Sequence, residues 1–324
     1  MESKSPACRW PLVHTYSIVA RDAETGQLGV AVQSHYFSVG SVVTWAEAGV
    51  GAVATQSIAD PAYGKLGLDL MRAGKSAPAT LAGLVASDPM SAVRQVGMID
   101  AQGRVAAHTG TFAIAEAGHI TGDGFTVQAN MMLRPTVWSA MAEAYKSTSG
   151  ELVDRLLGAL DAAQAEGGDI RGRQSAAILV VAGENTGRPW RDKVYDVRVD
   201  DAPEPLMEIR RLVSVARAYI HQRRAQKALE RDDRAAMNRE FETAARLIGD
   251  NPEMRFWHAI GLLGIGDIES GLAMLREVAA HDRSWITLAL RLPASLLKTD
   301  PATLERIGKL AELPIIARRP PGCH

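Results

Sequence analysis

Thr15-Tyr16-Ser17-Ile18-Val19-Ala20-Arg21-Asp22 and Leu28-Gly29-Val30-Ala31-Val32-Gln33-Ser34-His35 form the stretch on which the fold turns. Ala23-Glu24-Thr25-Gly26-Gln27 joins them, with Gly26 where a left-handed residue closes a loop, so the two apolar runs read as a β-hairpin. A hydroxyl residue heads the first strand. A Thr that is the first residue of a chain carries nucleophile and base together, because its α-amino group titrates near neutrality and takes the hydroxyl proton. The plainer alternative is that Thr15 is there because threonine suits a strand.

Outward from the hairpin, strand-like and helix-like segments alternate to about residue 200. Residues 40–56 hold two short β-prone runs split by glycines. Asp60-Pro61 and Ser76-Ala77-Pro78 each open a helix, and Asp88-Pro89 closes the second. Arg94–Asp100 and Arg104–Gly110 read as strands, as do Ala113–Ala115 and Phe125–Asn130; Gly118–Gly124 reads as a hairpin turn. Helices are expected over about 135–146 and 150–165, then strands at Gln174–Val181 and Tyr195–Asp200. Hairpins before helices argue against strict β-α-β alternation and for two antiparallel sheets with helices outside.

After Asp200-Asp201-Ala202-Pro203-Glu204-Pro205 the composition turns helical. A weak period of 34 pairs Leu229 with Leu263 and Asp233 with Asp267, and Asn251–Asp267 resembles a tetratricopeptide repeat. The expected division is a leader 1–14, an α+β domain 15–203 and an all-α domain 204–324. Paired helices do not bury their apolar faces alone, so they are expected to pack on the first domain or on another subunit.

The chain has 324 residues, net charge −1, 47% hydrophobic and only 5% aromatic residues, so its core is aliphatic and no nucleic acid or membrane partner is expected. Two cysteines, Cys8 and Cys323, imply neither a disulfide framework nor a metal site. The leader lacks an apolar core, so no secretory signal is expected and a reducing cytoplasm fits. No histidine pair has metal-ligand spacing, and no glycine loop has a phosphate-binding ending; neither a metal nor a cofactor is expected.

Thr15–Asp22, Gly29–Ser34, Gly49–Gln56, Arg94–Gly97, Ala107–Gly110, Val127–Asn130 and Gly167–Ala177 together resemble the DUF1028 family over almost the whole first domain. The resemblance implies a four-layer α-β-β-α sandwich similar to N-terminal-nucleophile hydrolases. In that superfamily the nucleophile is the first residue of the mature chain, which would be Thr15. Fourteen residues precede it here. Either the chain is cut between His14 and Thr15, or the leader stays and the amine is blocked. Gln33 falls where the proteasome pattern has an Asp, and its Lys has no counterpart, so a proteasome-type peptidase is not expected. His35 is the candidate substitute base or cation, against a solvent-facing histidine at a strand end.

The resemblance also singles out Asp169, Arg173 and Ser175 as the group that would orient the amine. The ordinary alternative is a turn in which Asp169 and Arg173 pair. Arg173 suits a carboxylate clamp, which suggests a carboxylated substrate. Asn130, at a strand end, is a candidate oxyanion donor, against an asparagine serving a turn. His108 is the remaining candidate for the cleft. The expectation is an amide hydrolase acting on a small amide. Its rival is a non-catalytic ligand-binding or assembly protein, homo-oligomeric through the sandwich and docking a protein partner on its C-terminal helices.

Overall fold

A computed structural model describes residues 12, 13, 15–249, 251–297 and 299–312. Residues 1–11, His14, both cysteines and His324 lie outside the described residues. The chain divides into two compact units, 1–213 and 214–324.

The first unit opens with β1 (Leu12–Val13), β2 (Thr15–Arg21) and β3 (Leu28–Ser34), followed by β4 (Thr44–Glu47) and β5 (Gly51–Ile58). Helices α1 (Ala62–Arg72) and α2 (Ala77–Ser87) intervene before β6 (Arg94–Asp100), β7 (Val105–Thr109), β8 (Gly118–Gly122) and β9 (Phe125–Ala129). Then come α3 (Val137–Ser147), α4 (Leu152–Ala165), β10 (Ser175–Val181), the short α5 (Pro189–Asp192) and β11 (Lys193–Val199). One sheet runs β1-β5-β6-β7, with β4 also on β5; the other runs β11-β10-β3-β2-β9-β8, and every pairing is antiparallel.

Alternation sorts each strand's side chains to two faces. Val19, Val30 and Val32 of the second sheet meet Ala52, Ala54 and Ile99 of the first, forming an aliphatic core between the sheets. The opposite faces are covered by helices. Val53, Val96 and Met98 pack with Tyr63, Leu68 and Leu81 of α1 and α2. A Cβ on Gly29 would come within 2.7 Å of Leu156 Cδ1, which shows how closely α4 lies on β3. Burying aliphatic area on both faces at roughly 25 cal/mol per Å² is the main force holding these layers together.

Two local expectations are corrected. Ala113–Ala115 is not a strand: Ala113 N–H closes a turn onto Gly110 O (3.0 Å), so this backbone is spent locally. Gly118–Gly122 is itself a strand, and the turn of that hairpin is only Asp123-Gly124, with Gly124 at φ +68°.

The second unit is helical. Helix α6 (Pro205–Leu229) contains the division between units and is followed by α7 (Arg234–Ile248), α8 (Pro252–Gly264), α9 (Ile268–His281), α10 (Ser284–Arg291) and α11 (Pro301–Lys309). Asp233, Asn251, Asp267 and Asp300 cap four of them, Asp300 accepting from Thr303 N at 2.7 Å. Phe256, Leu263, Leu272, Leu275, Val278 and Ile286 form their core. Among the described residues no helix is long and apolar enough to cross a membrane.

Candidate functional site

Val13 pairs with Ser57 of β5, and two residues later Thr15 pairs with Ser34 of β3. The chain therefore changes sheets at Thr15, which stands at the seam between them. Directly opposed residues share a face, so Thr15, Ser34 and Ser175 form a row across β2, β3 and β10. Ser17, on the same face of β2, reaches across to β5: its hydroxyl donates to Gln56 Oε1 at 2.6 Å. Thr15 thus faces the inter-sheet space, not the helices.

That end of the space is filled with amides and hydroxyls, all buried. Gln56 Nε2 donates to Gln95 Oε1 (2.7 Å) and to Thr15 O (3.2 Å). Asn130 Nδ2 donates to Gln95 Oε1 (2.9 Å) and lies 3.4 Å from Thr15 O, while Asn130 N–H also donates to Thr15 O (3.1 Å). Gln128 Nε2 donates to Ser17 Oγ at 2.6 Å. Gln95 Nε2 donates outward to Thr109 Oγ1 (2.9 Å), and that hydroxyl meets His119 Nδ1 at 2.8 Å. The network runs from Thr15 to a histidine at the surface. Desolvation, then the neighbouring His108, hold His119 below the ordinary imidazole range. Thr15 is fully buried, and its hydroxyl donates to Gln33 O.

Of the residues singled out from the sequence, Thr15 and Asn130 meet in this cluster. Ser175 lies two strands away, where its hydroxyl donates to Tyr36 O and accepts from Val39 N–H (3.0 Å). The Gln33 side chain points to the helical face, where it and Gln164 share the Tyr16 hydroxyl. Burial, and then the Asp169 carboxylate, raise that phenol's pKa well above its usual value.

Asp169 is buried and binds Arg171 through both oxygens (2.7 and 3.0 Å), while accepting from His35 N–H at 3.2 Å. Arg173 pairs with Glu204 instead. The Asp169–Arg173 pair of the alternative reading does not form: Arg171 takes both Asp169 oxygens, and Arg173 goes to Glu204. His35 is exposed at the end of β3, and His108 Nε2 is bonded to Ser91 O (2.8 Å) on β7, opposite the outward-facing Val96. Neither His35 nor His108 faces the amide cluster. Among the described residues no group of histidine, cysteine or carboxylate side chains is arranged to hold a metal.

Gln56, Gln95 and Gln128 escaped the sequence reading. Their signal is a glutamine at the core-facing parity near the end of an apolar strand, as in Val53-Ala54-Thr55-Gln56 and Val127-Gln128-Ala129-Asn130. Buried amides in such a place need partners: Gln56 and Asn130 both donate to Gln95, and Gln128 joins them through the Ser17 hydroxyl.

A family model described as DUF1028, a family of unknown function, matches residues 15–209. The crystal structure of a DUF1028 protein from Silicibacter pomeroyi is similar, with 29% sequence identity and a TM-score of 0.56 over 62% of this chain and 88% of that one. No curated protein matches the chain.

Proposed function

The chain belongs to DUF1028, a family of unknown function, and from the seam between its sheets we propose that the first unit is a latent amide hydrolase of the N-terminal-nucleophile type. The observation that carries this reading is that Thr15 stands where the chain changes sheets, facing the Asn130 and Gln56 amides. The reading is supported by the layering, helices on either side of two antiparallel sheets, which resembles the N-terminal-nucleophile sandwich.

Cutting between His14 and Thr15 creates the amine that the mechanism needs. It also frees β1, a two-residue strand that pairs with Ile58 and Ser57 and carries the fully buried Val13. Peeling it away gives up ladder bonds at a net ~1 kcal/mol each and a buried valine side chain worth about 1.5–3 kcal/mol. The Thr15 hydroxyl, released from Gln33 O, then attacks the carbonyl carbon of a small amide and its proton passes to the α-amine. The Asn130 and Gln56 amides, which now donate to Thr15 O, exchange that carbonyl for the developing oxyanion. The C–N bond breaks, the leaving amine takes the proton, and water hydrolyses the resulting ester. Asp169 and Ser175 act at a remove in this scheme: through His35 N–H, Tyr36 O and Val39 N–H they hold the segment after β3 in place. Arg173 is occupied by Glu204, so a carboxylate on the substrate is not required.

The rival, a non-catalytic binding or assembly protein, is favoured by the bond that already occupies the Thr15 hydroxyl. Intact-mass spectrometry with an epoxyketone electrophile separates the two. Hydrolysis predicts loss of residues 1–14 and one adduct on Thr15, both abolished in Thr15→Ala. An uncut chain that takes no adduct would establish the rival.

A further inference from the structure

A second site lies at the far end of β2, seven residues from Thr15 and therefore about 23 Å away along the strand. Here the β2–β3 turn, the β8–β9 hairpin, the end of α3 and the start of α4 enclose a cavity of about 570 Å³, lined by Asp22, Glu24, Asp123, Phe125, Tyr145 and Arg155 among others. That volume falls in the range of small-molecule pockets.

An aromatic pair backs the cavity, Phe125 only 3% and Tyr145 only 5% exposed. Phe125 and Tyr145 stack at 4.7 Å with their rings tilted by 42°, and the Arg155 guanidinium sits 5.3 Å from the centre of the Tyr145 ring. Gly122 permits this packing, since a Cβ there would fall 2.2 Å from the Phe125 ring. Asp22 is saturated: one oxygen accepts from Glu24 N–H, Thr25 N–H and the Thr25 hydroxyl, and the other from Arg155. Arg155 gives only Nη2 to that bond, and its Nε is buried with no partner. Among the described residues the Tyr145 hydroxyl has no bonded partner, and the Glu24 and Asp123 carboxylates are exposed and unpaired. Burial raises the Tyr145 pKa, so its phenol stays a donor.

The lining holds three carboxylates against two cations, Lys146 and Arg155. A simple anion would meet repulsion at the rim. A molecule with a negative and a positive end, and an apolar body between, answers the groups left open to the cavity.

We propose that this cavity binds a free α-amino acid with an apolar side chain. Its carboxylate lies on Arg155 and the Tyr145 hydroxyl, its ammonium group meets Glu24 or Asp123, and its side chain packs on the Phe125–Tyr145 wall. The site is separate from Thr15 and does not rest on the hydrolase reading.

Calorimetric titration of the full chain with L-phenylalanine, phenylacetate and phenethylamine tests it. L-Phenylalanine is expected to saturate, with each truncated analogue at least tenfold weaker, as loss of one charge-assisted bond implies. Tyr145→Phe removes a hydroxyl that bonds to no protein group, so it is expected to leave the thermal midpoint unchanged and weaken L-phenylalanine roughly tenfold. Phenethylamine binding as tightly as L-phenylalanine, no saturation, or an unaffected Tyr145→Phe variant would each overturn the assignment.

Discussion

Gln95, itself fully buried, accepts from two side-chain amides and donates to Thr109, with Ala129 O a further 2.8 Å contact. Replacing it by Leu keeps the volume but strands one N–H each of the Gln56 and Asn130 amides, each costing about 1–3 kcal/mol when buried unpaired. Gln95→Leu is therefore expected to lose about 3 kcal/mol or more in urea unfolding, and a loss under ~1 kcal/mol would mean that the cluster is wet or slack. Gly97→Ala tests the same network sterically, since the added Cβ would fall 2.3 Å from Gln128 Oε1. At this scale Thr15 and Asn130 were legible because a hydroxyl heading a strand and an amide ending one are local signals. The glutamines were not, since a lone polar residue in an apolar strand reads equally as a surface position until its strand is placed.

Among the elements, the helices follow their caps closely. Ser76 accepts from Ala79 N at the head of α2, and Asn251, just before Pro252, caps α8. Ser76 was readable as a cap two residues before Pro78, whereas Asn251 is legible only within a repeat-like stretch. Helix α8 also carries a titration. His258 stacks on Phe241 at 4.7 Å and bonds Asn238 Oδ1 through Nε2 at 2.8 Å. Burial lowers its pKa, only partly opposed by Glu242. A native value below the unfolded one, about 6.5, means that the unfolded chain binds more protons as the medium acidifies. The stability concerned is full above pH 6.5 and lost as pH falls toward the lowered native value. Urea midpoints followed by circular dichroism should be lower at pH 5.5 than at pH 7.5, with a smaller difference in His258→Gln. A difference of the same size in that variant would assign the acid sensitivity to another group.

Over the whole molecule, two sets of clusters hold two units. Val30, Val32 and Ala54 belong to one, Phe256, Leu263 and Leu275 to the other. Separate cores unfold as separate cooperative bodies, so calorimetry of the full chain is expected to resolve two transitions, and one transition obeying two-state criteria would contradict this. In hydrogen exchange, β2 and β3, central in their sheet and buried on both faces, should outlast the edge strands β8 and β11. The sequence by itself determined the β2–β3 hairpin, most of the strands and helices around it, and the change to an all-helical region near residue 204, because periodicity, caps and turn residues act within a few positions. Only the tertiary structure decided that Arg171, not Arg173, holds Asp169, and that Gln33 turns its side chain away from Thr15. It also decided that Gln56, Gln95, Gln128 and Asn130 meet. Those outcomes depend on register between strands tens of residues apart, where a shift of one residue sends every side chain to the opposite face.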